Sequence, residues 1–221
     1  MRLLLQPRVL NVAGMAALGS ALACYPRLSL WLHRPAPIWY LETAIFVCSI
    51  VLWSFVFAWH APYTGRPVLV FKVESRPFLL ATLTGIIAAM GYHRWLDPLL
   101  ATVLPEEYPA DVKHWLAAVP FALALNQLFM TFAPCDWLLR LLKNRRLAIG
   151  LTALFGAGVL ALKLDALRMP LPPLLLAALL AGRVVFGLLA VSFYLRGGVM
   201  LVWWWTFLFE ARHLLDLAGN H

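Results

Sequence analysis

A chain of 221 residues with 63% hydrophobic and only 13% charged side chains has too little polar surface to cover a soluble globule, and its mean hydropathy of +0.81 points the same way. The composition excludes a water-soluble catalytic domain and predicts an all-α, polytopic transmembrane helix bundle. The net charge of +8 falls in short loops and at span ends rather than in one patch with exposed aromatics, which excludes nucleic acid as a partner and reads as topology signal.

Arg2 and Arg8 precede an apolar stretch that reaches Tyr25 and imitates a signal peptide; it reads as an uncleaved first span. Arg27, His33 and Arg34 mark a loop, and a second span runs from about Ile38 to Trp59, with Glu42 near its start and His60, Pro62 and Gly65 at its end. The alternation of Val68, Val70, Lys72 and Glu74 is strand-like but too short to cross a bilayer, so it predicts an interfacial connector. A third span, about Phe78 to Leu96, ends on Tyr92, His93, Arg94 and Trp95, and an acidic loop leads to a fourth from about Val112 to Phe132. From Asp136 to Arg146, Trp137, Leu138, Leu141 and Leu142 oppose Arg140, Lys143, Arg145 and Arg146, the pattern of a short helix lying in the headgroup region. The fifth span, Leu147 to Leu164, carries Gly150, Gly156 and Gly158, as where backbones approach closely. Prolines at 170, 172 and 173 separate it from a sixth, about Leu174 to Leu195, and Gly197 and Gly198 turn the chain into a seventh, Val199 to about Leu217.

Seven spans with the N-terminus in the cytoplasm put ten Lys and Arg inside (Arg2, Arg8, Arg66, Lys72, Arg76, Arg140, Lys143, Arg145, Arg146, Arg196) and seven outside (Arg27, Arg34, Arg94, Lys113, Lys163, Arg168, Arg212). This favours a cytoplasmic (inner) membrane protein with a cytoplasmic N-terminus. The three cysteines, Cys24, Cys48 and Cys135, lack C-x-x-C spacing and read as packing residues.

The polar residues inside apolar spans carry most of the information. Asn126 and Gln127 stand about a dozen residues inside the fourth span, roughly 18 Å deep at about 1.5 Å per residue, where an unpartnered amide costs several kcal/mol. They are expected to face a bundle interior near Phe155 and Phe207. Arg183 is mid-span, and counting back from the Gly197–Gly198 turn sets it at the depth of Glu210 on the next helix, which predicts an Arg183–Glu210 ion pair. Glu210, His213 and Asp216 are spaced i, i+3, i+6, and His213 is a possible ligand for a metal, haem or chlorin. Glu106, Glu107 and His114 have zinc-binding or water-activating chemistry, but at the opening of a helix they are better read as offsetting its dipole. The run Trp203, Trp204, Trp205 surrounds its helix and reads as packing and lipid contact.

The stretches ALALNQLFMTF from Ala122, RRLAIGLTALFGAGVLAL from Arg145 and FGLLAVSFYLRGG from Phe186 resemble, in order and spacing, the CPBP family. That family comprises CAAX-type prenyl-protein endopeptidases and bacteriocin-processing and immunity (Abi) proteins, and the resemblance covers about residues 122–211. It implies a single membrane domain, residues 1–221, in which 1–111 are peripheral spans and 112–217 a four-helix core. The family's glutamate pair falls on Asn126 and Gln127, and its arginine falls on Thr131. The phenylalanine of its next motif is Phe155, but that motif's histidine falls on Val159. The glycine, tyrosine and turn positions fit as Gly187, Tyr194 and Gly198, while the final histidine and asparagine fall on Phe207 and Ala211. The scaffold positions match and the chemical ones do not, since an amide is no general base and valine and phenylalanine donate nothing to an oxyanion.

The expectation is therefore a non-catalytic CPBP-like membrane protein, a scaffold or binding subunit, with no cofactor and no metal. Its partners would be the bilayer and, where the cavity holds anything, a prenyl or lipid moiety or a helix of another membrane subunit. Two alternatives stay open: an active intramembrane endopeptidase using Glu106, Glu107 and His114 or Glu210 and His213, and a cofactor-holding subunit of an energy-converting membrane complex.

Overall fold

Pro7 supplies the preset φ of a first helical turn and opens α1, Pro7–Leu30, whose small residues Ala13, Ala17, Ser20, Ala21 and Cys24 are buried along one side. That side lies against α2, Ile38–Thr64, where the Trp53 indole N–H donates to Ser20 Oγ at 3.0 Å. The helix runs on through Pro62 to Thr64, past the expected end, and stops on Gly65 in the left-handed region at φ 71°. In the computed structural model residues 3–31, 35–103, 108–166 and 171–219 are described, and among these every regular element is helical. Arg2, His33, Arg34, Glu106, Glu107, Arg168 and Pro170 lie outside them.

The expected connector is an irregular stretch from Gly65 to Glu74. It leads into α3, Ser75–Gly91, which continues through a π turn, Tyr92–Leu96, into α4, Asp97–Val103. Next comes a rod 31 residues long, Val112–Leu142, assembled from α5 (Val112–Phe121), π turns Ala122–Asn126 and Leu128–Phe132, and α6 (Ala133–Leu142). Asp111 caps it, accepting the His114 backbone N–H at 2.8 Å, so His114 belongs to a helix start. Those hydrogen bonds from His114 hold the Asp111 carboxyl below its ordinary value. A depressed carboxylate contributes stability that is complete above the unfolded value of about 3.9 and is lost as pH falls through the folded value. Hydrogen exchange of the amides at 113–115 should therefore be flat with pH above about 5, once corrected for intrinsic rates, and should accelerate in acid; Asp111→Asn, still a good cap, should abolish that acid dependence.

The separate interfacial helix expected from Asp136 to Arg146 is not found, because the same rod carries on to Leu142 and breaks only at Lys143, whose φ is 50°. The reason is Asp136 itself, which is fully buried and bonded to two other helices rather than marking a boundary. Asn144 then caps α7, Arg145–Ala166, by accepting the Arg146 and Leu147 backbone N–H groups.

The last long segment, α8, Pro173–Glu210, is two antiparallel legs. Phe186 lies 4.2 Å from Trp205 and 4.5 Å from Phe209 between ring centroids, which a straight helix would hold roughly 30 Å apart. The reversal is at Gly198, φ 65° and ψ −163°, as the Gly197–Gly198 pair predicted. The connector seals the turn: Val199 N–H donates to Val68 O at 3.0 Å, and the Arg66 guanidinium donates to Arg196 O. Trp205 is buried beside Phe186 and Phe193, while Trp204 stacks on Phe78 and donates to Thr82. A short α9, His213–Gly219, follows a turn at Ala211–Arg212.

Among the described residues five helical segments are long and apolar enough to cross a membrane: α1, α2, Val112–Leu142, α7 and Pro173–Ala218, the last comprising both legs of α8. The glycines of α7 divide by use. Gly156 makes room for the Arg183 guanidinium, and Gly187 of α8 brings its backbone against Ala153, whereas Gly150 and Gly158 face open space.

Candidate functional site

Two polar centres lie inside this apolar bundle. The first is fully enclosed: Asp136 of α6 accepts the Tyr194 hydroxyl at 2.5 Å on one carboxylate oxygen, and His60 Nδ1 of α2 lies 3.2 Å from the other. All three side chains are fully buried, with the His60 and Tyr194 rings 4.4 Å apart and Phe132 packed on Tyr194. It joins three helices and lines neither the large cavity between α1, α7 and α8 nor the small void beside Gln127, so its role is to fix how α2, α6 and α8 pack. Sequence reasoning missed it, treating His60 as a span end and Asp136 as the start of a surface helix.

The second centre is a cavity of about 280 Å³ between α1, the π turn after α3, the 112–142 rod, α7, both legs of α8, and α9. Leu160, Leu164, Leu179 and Phe186 supply apolar wall, and Arg27, Lys163, Arg183 and Arg212 put four cationic side chains on it, with Glu210 and His213. Arg212 is held in place, its Nε 3.0 Å from Asp97 and its guanidinium 3.9 Å over the Phe209 ring. Tyr108 donates to the other Asp97 oxygen at 2.7 Å, and Trp115 donates to the Glu210 backbone carbonyl. Arg27 lies over Phe121, 5.0 Å from the ring centroid. Two of the three π turns among the described residues border this cavity, through Tyr92, Ala122 and Asn126, and such turns are frequent where a helix re-aims side chains at a site.

Arg183 differs from Arg212, because it makes no hydrogen bond or ion pair with another described residue. Its guanidinium rests against Gly156, within about 3.4–3.8 Å of where a Cβ would stand, and it borders both the large cavity and a void of about 10 Å³ beside Gln127 and Thr131. The expected Arg183–Glu210 pair is thus corrected: the depth argument brings both to one cavity, but their charged groups do not reach ion-pairing distance. The Glu210 carboxylate lies 4.0 Å from Arg212 Nη1 and 3.8 Å from His213 Nε2, because the turn at Ala211–Arg212 swings those side chains toward it.

The other predicted positions separate in the same way. Gln127 is buried and accepts the Thr131 hydroxyl at 2.9 Å, and Asn126 borders the cavity, so both amides face inward. They do not meet Phe155 and Phe207, which are 38% and 36% exposed and pack outward against Phe129 and against Trp115 and Trp204. Val159 is half-buried, and Ala211 forms the turn after α8. His213 is buried, 3.9 Å from Asp216 and edge-on to Tyr108. Asp97, Tyr108 and Arg212 were not singled out in the sequence; an aspartate set among leucines after an apolar span was the available signal. Comparison with protein-family profiles, with curated proteins and with solved structures finds no match to this chain.

Proposed function

We propose that this chain is a non-catalytic, multi-pass membrane protein that binds the anionic headgroup of an amphiphile, a phosphate or carboxylate with an acyl or prenyl chain. The observation that carries this reading is Arg183: a guanidinium within an apolar segment, costing at least about 2.5 kcal/mol at mid-bilayer, with no ion-pair partner among the described residues and a cavity beside it. An anion bound bidentately supplies what the fold does not. Arg27, Lys163 and Arg212 reinforce the field, and the leucines beside them suit a methylene chain.

Counting α3 with its continuation, and the two legs of α8 separately, gives seven crossings. The Lys and Arg bias then favours a cytoplasmic-membrane protein with its N-terminus inside. A CPBP-like core over residues 112–217 remains part of the reading, since the positions of that family's glutamate pair, Asn126 and Gln127, border the cavity and the small void while carrying no base. The proximity of Glu210 to His213 on the cavity wall favours a second reading, an intramembrane endopeptidase with Glu210 as base.

The full chain in nanodiscs separates the two. Lipids with an anionic headgroup should raise the thermal midpoint where zwitterionic lipids do not, and Arg183→Met should weaken that binding about tenfold to hundredfold, the worth of a charged hydrogen bond, with Phe155→Leu unaffected. A midpoint indifferent to headgroup charge would remove the proposal. Peptide cleavage abolished by Glu210→Gln would establish the second reading in its place.

A further inference from the structure

At the end of the cavity wall, three elements bring together two imidazoles and two carboxylates. We infer that His93, Asp97, His213 and Asp216 form a binding site for one divalent transition-metal cation of the zinc class. This inference does not rest on the anion-binding reading. His93 comes from the π turn and Asp97 from the first position of α4, while His213 and Asp216 are i, i+3 on α9. Ligand atoms of His93, Asp97 and Asp216 all lie within 4.8 Å of one another.

Orphaned atoms are the second observation. Nine buried side-chain nitrogen or oxygen atoms lack a hydrogen-bond partner among the described residues, and three of them meet here: His93 Nδ1, Asp216 Oδ2 and His213 Nδ1. Buried polar atoms are otherwise almost always paired, so three in one place call for a common partner. His93 Nδ1 is 3.0 Å from Asp216 Oδ1, yet without hydrogen-bond geometry, so the ring's lone-pair direction is left open. His213, 5% exposed, turns its unpartnered Nδ1 to within 3.9 Å of Asp216 Oδ2.

A proton on His93 would serve one of these atoms and leave the other two bare. A single cation between His93, Asp97 and Asp216 serves the first two, and His213, whose Nδ1 is 3.9 Å from Asp216 Oδ2, closes on it as the fourth ligand. Zinc bonds of about 2.0–2.2 Å in a tetrahedron set ligand atoms roughly 3.3 Å apart, which lies between the 3.0 and 3.9 Å contacts seen here. Two nitrogens with two carboxylate oxygens is a donor set for Zn²⁺ or Co²⁺ rather than for Mg²⁺ or Ca²⁺, which take oxygen alone. Asp97 is already oriented by Arg212 and by the Tyr108 hydroxyl, and a carboxylate with about four lone-pair sites can ligate while keeping both.

The test uses the full chain purified in detergent through a tag without histidines, stripped with chelator and titrated with Zn²⁺ and with Co²⁺. One equivalent per chain is expected, with the visible absorption of four-coordinate Co²⁺, and Zn²⁺ should restore a thermal midpoint lowered by chelator. The double variant His93→Gln, Asp216→Asn should lose the equivalent, and Tyr108→Phe should weaken it about tenfold to hundredfold. Should a variant fail to fold, the chelator and restoration arm on the unaltered chain decides. Absence of stoichiometric metal, a midpoint indifferent to chelator and Zn²⁺, or full binding by a folded double variant would overturn the site, leaving a protonated His93–Asp216 ion pair or a bridging water.

Discussion

Gly198→Ala is expected to prevent assembly of the folded protein. Gly198 has φ 65° and ψ −163°, a region that only glycine occupies freely and where another residue is strained by about 1–3 kcal/mol. The second penalty is steric and larger: a Cβ there would stand 2.4 Å from the Val68 carbonyl oxygen, which is backbone and accepts the Val199 N–H. Relief requires the connector to leave the hairpin turn, and with it the contact from Arg66 to Arg196. The two legs of α8 would then lose the register that stacks Phe186 on Trp205 and Phe209 and shapes one side of the cavity. Size-exclusion behaviour in detergent and the thermal midpoint check this. Gly158→Ala is the control, since nothing lies within 4 Å of the added methyl; it should be neutral or slightly stabilising, because alanine is the better helix former. A Gly198→Ala protein with an unchanged midpoint would show that the turn is not built as described.

Asp136→Leu should be nearly as damaging for a different reason. The substitution strips the Tyr194 hydroxyl and the His60 ring of their common partner in a fully buried setting, and breaking such a set by removing one member costs about 3–5 kcal/mol. Removing the whole set should recover much of that loss: Asp136→Leu with His60→Phe and Tyr194→Phe leaves no polar atom unpaired. Asp136→Asn should fall between, because its amide still offers an acceptor to Tyr194. Thermal midpoints of the single and triple variants make the comparison, and a triple variant losing the sum of three independent penalties would contradict a shared network. Because none of the three residues lines the cavity, anion and metal binding by any folded member of the series should be unchanged.

The reversal at Gly197–Gly198 and the inward placement of Asn126 and Gln127 were legible in the residues themselves. Each follows from a local rule that no neighbour can overturn: a glycine pair after an apolar span turns the chain, and an amide deep in such a span must face protein or water. The same holds for the helical class and for the presence of segments long and apolar enough to cross a membrane, which a chain this apolar over 221 residues requires. The depth count that linked Arg183 to Glu210 was sound to the level of one cavity, because rise per residue is a property of the helix. It failed at the level of atoms. Rotation about each helix axis decides which side chains touch, and that rotation is set here by π turns and by the break at Ala211–Arg212, neither of which carries a sequence signature. The amphipathic pattern from Asp136 to Arg146 misled for a related reason: a charge at a span end looks solvated until helices distant in sequence supply His60 and Tyr194. Sequence thus determined that the amides and the arginine within apolar spans had to face inward, through the desolvation of each one separately, while only the tertiary packing decided that span-end groups such as His60 and Asp136 would be enclosed and which side chains would meet.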